Sequence, residues 1–298
     1  MSVKHPIVAI TGSSGAGTTT VMKSFQHIFR REGIRAQILE GDSMHRYNRL
    51  EMREEMKKQQ SAGNLAFSHF SPDANLLAEL ADTFRQFGEE GAGRVRKYIH
   101  DNIEAAEFGQ DPGTFTPWKD MDEGAELLFY EGLHGGYVGD NADVARHVDL
   151  LVGVVPIINL EWIQKLHRDQ NMRGYSQEAV MDTILRRMPD YTRHICPQFS
   201  RTDVNFQRVP TIDTSNPFTA TEIPTADESM VVVHIANRNK INPDFSHLLE
   251  MLQGSFMSRR DTIVVPAGKM VFTMELLLNP VIERMVERRN ALEKQSAA

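Results

Sequence analysis

The chain has 298 residues, 41% of them hydrophobic, with 33 Lys and Arg against 40 Asp and Glu, which suits one large α/β domain or two small ones. The net charge of −7 argues against a nucleic-acid binder, which ordinarily presents a basic surface. The single cysteine, Cys196, excludes an internal disulfide or multi-cysteine zinc site and points to a reducing, cytoplasmic compartment; no apolar stretch nears the ~18 residues of a membrane span, and the N-terminus carries no signal-peptide pattern.

Pro6 to Ile10 reads as a short buried strand. It enters Gly12-Ser13-Ser14-Gly15-Ala16-Gly17-Thr18-Thr19, after which Val21, Met22, Phe25, Ile28 and Phe29 mark a helix. Strand, glycine loop and helix start in that order make a phosphate cradle, because glycines let successive N–H groups turn inward and the helix end adds partial positive charge. The run fits G-x-x-x-x-G-K-[ST] except that Thr18 stands where lysine belongs. Thr19 takes the place of the hydroxyl that reaches Mg²⁺. Two readings follow: a structural glycine turn without a ligand, or a cradle whose missing charge arrives from elsewhere in the chain.

The helix stops at Glu32-Gly33, and Arg35 to Glu40 reads as a second strand. Gly41-Asp42 follow, and in open parallel sheets ligands sit beyond the carboxyl ends of the strands. Asp42 is thereby delivered to the edge that carries the glycine loop. The plainer reading is a turn or helix-cap aspartate; His45 and Arg49, suited to a phosphate on an acceptor, favour the first. Residues 50–62 read as an exposed helix and Leu76 to Phe87 as a core-facing one. Gly88 to Trp118 is turn-rich, a hairpin or a mobile segment over the site. Within it Tyr98 and His100 are either substrate contacts or a packed tyrosine and a surface histidine.

Glu126 to Gly132 reads as a third strand, with His134 near its end. An acidic residue at the end of a neighbouring parallel strand holds the Mg²⁺ shell in phosphate-transferring folds; beside a glycine loop, that reading of Glu131 outweighs a merely solvent-facing carboxylate. Leu150 to Ile157 reads as a fourth strand, covered on both faces. In the helix from Asn159 to Arg173, Lys165, Arg168, Asp169 and Met172 share one side while Leu160, Ile163 and Leu166 face a core. A solvated face explains this cheaply; the functional reading makes Lys165 the cation the glycine loop lacks. Gly174 ends that helix, and Ser176 opens another bearing Arg186-Arg187, which are surface arginines or part of a lid over phosphates. Met188 to Phe218 resists assignment. Met230 to Ala236 and Thr262 to Val265 read as late strands, antiparallel or at an edge. Met270 to Leu278 and Pro280 to Glu293 read as two helices broken at the proline.

Gly-Ser-Ser-Gly-Ala-Gly-Thr-Thr at 12–19, Glu-Gly-Asp at 40–42 with His45 and Arg49, Tyr-Glu-Gly-Leu-His at 130–134 and Trp-Ile-Gln-Lys-Leu-His-Arg-Asp at 162–169 together closely resemble the phosphoribulokinases of the bacterial type. The resemblance spans nearly the whole chain, and the lysine-free glycine loop matches it as well. It implies a P-loop nucleotide-kinase-like α/β domain over residues 1–298, a mixed, mostly parallel sheet flanked by helices, with a lid-like segment at about 174–218. The implied reaction is ATP-dependent phosphorylation of D-ribulose 5-phosphate at its C1 hydroxyl in the Calvin cycle.

The same resemblance implies the roles of residues. Asp42 is the general base, with Lys165 and Asp169 also catalytic. ATP is held by Gly12, Ser13, Ser14, Gly15, Ala16, Gly17, Thr18, Thr19 and Thr20, with Arg186 and Arg187 from the lid. The sugar phosphate meets His45, Arg49, Tyr98, Arg168 and Arg173; Mg²⁺ meets Thr19, Glu131 and Asp169. A homo-oligomer, octameric in the bacterial type, and activation by NADH are implied too; Arg31 and Arg259 suit that effector, while His234 stands where relatives often carry arginine. The regulatory cysteine pair of plant-type enzymes has no counterpart. A uridine or pantothenate kinase would leave His45, Arg49, Arg168 and Arg173 unexplained. A non-catalytic nucleotide sensor would need neither Asp42 nor two metal-side carboxylates.

Overall fold

Runs of Val, Ile, Leu and Phe with turn residues at both ends build a central sheet whose strands alternate their side chains between two helical layers. The computed structural model describes residues 4–13 and 16–296, and at 19, 20, 172, 173 and 296 the backbone alone. In chain order the strands are β1 (Ile7–Thr11), β2 (Ala36–Glu40), β3 (Arg94–Val95), β4 (Lys119–Asp120), β5 (Leu127–Gly132), β6 (Val138–Gly139), β7 (Ala142–Asp143), β8 (Leu150–Val154), β9 (Val204–Pro210), β10 (Ser229–Ile235), β11 (Phe256–Arg259) and β12 (Thr262–Pro266). Eight of them form one sheet in the order β11-β12-β10-β9-β8-β1-β5-β2. The run from β2 to β9 is parallel, and β10, β12 and β11 continue it in antiparallel pairs. β3 with β4 and β6 with β7 make two small antiparallel ribbons.

The helices that matter for the site are α1 (Thr18–Arg31), α2 (Arg49–Ser61), α3 (Leu77–Glu90), α4 (Asn102–Phe108), α5 (Ile158–Arg173) and α6 (Gln177–Arg186). Val8, Ile10, Leu127 and Phe129 pack on one face with Phe25 and Phe29 of α1 and with the C-terminal helix Met270–Ser296. Ile7, Ala9, Leu128 and Tyr130 pack on the other with Leu80, Phe84 and Phe87 of α3. The period of two along each strand is what assigns alternate residues to the two layers.

Three departures from the sequence reading have physical causes. Met270–Ser296 is one helix with Pro280 inside it, not two. The proline removes one N–H donor, but Leu277, Leu278, Val281 and Ile282 on either side are buried, and their packing outweighs that bond. β9 emerges from the unassigned stretch and lies between β8 and β10; its Asn205, Gln207 and Arg208 had hidden the alternation with buried Val204 and Phe206. The segment 174–218 thus includes a central strand, β9, while α6, the turns to Ser200 and the stretch 211–218 stand outside the sheet. The fourth strand stops at Val154, short of Pro156.

Candidate active site

The carboxyl ends of β2, β5, β1 and β8 line one edge in register. Glu40 lies beside Glu131, Glu131 beside Ile10, and Thr11 between Gly132 and Gly153. Two glycines allow this crowding: a Cβ on Gly41 would stand 2.7 Å from the Gly132 Cα, and one on Gly132 would stand 2.5 Å from the Tyr130 hydroxyl. Asp42, two residues beyond β2, is thereby brought to the end of the strand that carries Glu131. The glycine loop leaves β1 at the same edge. A Cβ on Gly12 would lie 2.7 Å from the Val154 carbonyl oxygen, so the backbone can turn there only without a side chain. Gly17 adopts φ +91° at the start of α1, and among the described residues no side chain caps that helix end; helix N-termini favour anions. Ser14 and Gly15, and the side chains of Thr19, Thr20 and Arg173, lie outside the described residues.

Burial pushes the Glu131 carboxyl up to about 7; the Thr18 side chain, bonded to it, opposes that, and Asp42 and Glu40 add to it. Its charged neighbours are acids rather than cations, an arrangement a divalent cation would relieve. Among the described residues no group of three or more His, Cys, Asp or Glu is arranged to hold a metal ion by itself.

Around Asp42 gathers a set of imidazoles. Asp42, with 44% of its side chain exposed, places Oδ1 3.4 Å from His45 Nε2 and Oδ2 3.8 Å from His100 Nε2. Tyr98 meets both histidines edge-on, at 6.0 and 5.0 Å between centroids. Arg96 spans the base of this group: it donates to the carbonyls of Ser43 and His45 at 2.8 and 2.6 Å and lies over the Phe115 ring at 3.7 Å. Arg49 sits at the outer margin, donating to the His100 carbonyl.

A second group comes from α5 and α6. Lys165 and Asp169, one helical turn apart, are buried and joined at 2.5 Å, and Arg168 donates to the other Asp169 oxygen at 3.0 Å. Burial and Arg187 pull Lys165 down to about 8, against the pull of Asp169. Glu161, in the first turn of α5, accepts from the Tyr191 hydroxyl at 3.2 Å, and burial pushes it up to about 7. The paired arginines diverge. Arg187 is covered, with its guanidinium 4.2 Å over the Phe70 ring and burial lowering it to about 10. Arg186 turns away to the Leu65 carbonyl and Asp182. Arg187 acts electrostatically on both groups, on Asp169 and Glu161 to one side and on His45 and His69 to the other.

The structure thus gathers Asp42, His45 and Tyr98 in one group and Lys165, Arg168, Asp169 and Arg187 in a second. Arg49 and Arg186 stand at the margins. Sequence reasoning passed over His69, which stacks on His45 at 3.8 Å, and Arg96, Glu161 and Tyr191. A histidine in a polar turn and a glutamate at a helix start carry no periodic signal, so only the fold exposes them.

A family model described as Phosphoribulokinase / Uridine kinase family matches residues 7–215. The chromosomal phosphoribulokinase of Cupriavidus necator is 59% identical over 289 residues, 97% of this chain and 98% of that protein. The phosphoribulokinase of Nitrobacter vulgaris is 58% identical over 286 residues, 96% of this chain and 98% of that one. Among solved structures, a phosphoribulokinase from Rhodobacter spheroides superposes with a TM-score of 0.88 at 52% identity, over 96% of this chain and 99% of that chain. With the family model covering more than half of its length and relatives this similar from end to end, the chain belongs to the phosphoribulokinase / uridine kinase family.

Proposed function

We propose that this chain is an ATP-dependent phosphoribulokinase of the Calvin cycle, transferring the γ-phosphoryl group of ATP to the C1 hydroxyl of D-ribulose 5-phosphate. The observation that carries the reading is the shared edge: the glycine loop, Glu131 and Asp42 leave three neighbouring parallel strands within a few residues of their ends. Asp42 takes the C1 hydroxyl proton as that oxygen attacks in line, and its exposure leaves room for the sugar beside it. Lys165 and Arg187 answer the charge that develops on the transferred group, and burial makes each worth more there than in water. Thr19, Glu131 and Asp169 are the groups that would hold Mg²⁺, which when bound would supply neutralising positive charge to the transferred phosphoryl group. His45, Arg49, Tyr98, Arg168 and Arg173 take the sugar phosphate, so that contacts far from the reacting oxygen orient it. α6 and the turns to Ser200 serve as a lid carrying Arg186 and Arg187.

An ADP-release assay with ribulose 5-phosphate, uridine and pantothenate tests the reading. Turnover with the sugar phosphate alone is expected; turnover with uridine or pantothenate instead, or with none of the three, overturns it. Three finer statements follow the family likeness: a cytoplasmic homo-octamer, no nucleic-acid or membrane partner, and NADH as activator through Arg31 and Arg259. His234, where relatives often carry arginine, lies 3.6 Å from Asp261. A flat initial-rate curve against NADH removes the effector. Light scattering that reports a monomer removes the oligomer.

A further inference from the structure

We propose that His69 is a positioning residue for the acceptor half of the site, acting through His45; the inference deepens the kinase reading and rests on it. The His45 backbone is well fixed. It bridges Asn75 in antiparallel fashion, Leu76 N–H bonds the Met44 carbonyl at 2.8 Å, Arg46 N–H bonds the Ala74 carbonyl at 2.9 Å, and Arg96 holds the His45 carbonyl. None of these bonds decides where the ring points. The face of the ring is set by His69, whose imidazole stacks on it with centroids 3.8 Å apart and planes 22° from parallel. Tyr98 closes the edge, and Nε2 is left aimed at Asp42.

His69 is itself held as a platform. Its carbonyl accepts from Asn75 Nδ2 at 3.0 Å and lies 3.1 Å from His134 Nε2, so buried side chains from two separate segments clamp it. Asn75 Nδ2 also donates to the Ser71 carbonyl at 2.7 Å and lies 3.1 Å from His134 Nε2. The next residue, Phe70, lies under Arg187 and edge-on to Tyr191 at 5.6 Å, which ties the platform to the α6 side. Burial holds both stacked imidazoles toward their neutral forms, and Arg187 acts in the same sense on each, so the face-to-face contact carries no like-charge repulsion. A side chain that fixed its neighbour only by bulk would need no flat ring; one that fixes its orientation by stacking does.

The test is steady-state kinetics on His69→Phe, His69→Leu and His69→Ala beside the parent and His45→Ala, varying ribulose 5-phosphate and ATP in turn. Leu and Ala are expected to raise KM for the sugar phosphate by about three- to tenfold, the scale of one aromatic stacking contact, with KM for ATP within about twofold. Phe, which keeps the flat face, is expected to recover most of the loss. Equal effects on both substrates, or a Phe variant no better than Leu, overturns the inference, as does a sugar-phosphate KM unchanged in Ala. If Ala does not fold, the Phe and Leu pair decides alone. Should the parent fail to turn over ribulose 5-phosphate, the function is wrong. Should His45→Ala lose the sugar phosphate while the His69 variants do not, the function stands and the platform fails.

Discussion

Asp42 combines two properties a general base toward a bulky acceptor needs: one oxygen is oriented by an imidazole 3.4 Å away, and nearly half of the side chain is open. Asp42→Asn keeps the shape and removes the proton acceptor. It is expected to lower kcat by at least ~10², the usual contribution of a general base, with ATP affinity retained by equilibrium titration; near-parent turnover would refute the role. Glu161 shows the opposite situation, a carboxyl buried until its pKa reaches about 7 from an ordinary 4.5. The folded state then holds the proton more tightly than the unfolded chain. Its contribution to stability is complete below about pH 4.5 and is lost as the pH rises through about 7. Glu161→Gln, whose amide still accepts from Tyr191, is expected to gain on the order of 2 kcal/mol relative to the parent between about pH 5 and pH 8. Denaturant unfolding at the two pH values measures it, and parallel stabilities at both would count against a carboxyl protonated in the fold.

The strand ends depend on close backbone approach in a way single side chains do not reveal. Gly41 and Gly132 face each other where β2 and β5 finish, with no space for a Cβ on either. Gly41→Ala must therefore push the end of β2 away from β5 and carry Asp42 with it. Because an error of about 1 Å at a reacting group costs ~10² in rate, kcat is expected to fall at least tenfold while circular dichroism stays that of the parent. Unchanged kcat would mean that the strand ends yield without moving Asp42. The C-terminal helix makes the complementary point. Pro280 sits inside it at a cost in helix propensity of roughly 3 kcal/mol relative to alanine, so Pro280→Ala is expected to raise the melting temperature; a lower one would mean that the packing requires the proline's local distortion.

Across the whole molecule, five parallel strands bring loops from distant parts of the chain to one edge, and binding there should stabilise all of them together. A non-hydrolysable ATP analogue with Mg²⁺ is expected to raise the melting temperature further than the same analogue in chelator, because a ligand that binds only the folded state adds RT ln(1 + [L]/Kd); equal shifts would speak against Glu131 as a metal-side group. Much of this edge was legible in the letters. β1, the glycine loop, α1, β2 with Asp42 and β5 with Glu131 are each written in contiguous residues, where apolar runs, glycine punctuation and a period of 3.6 act locally. The pairing of Lys165 with Asp169 was legible as spacing, but its burial was not, since that depends on what packs over α5. Other features join residues far apart along the chain: β9 inserted between β8 and β10, Asn75 against His134 at a separation of 59 residues, Tyr191 against Glu161 at 30. No local rule encodes such contacts. They form because, once the strands pair, buried polar groups must find partners among whatever the sheet has brought within reach.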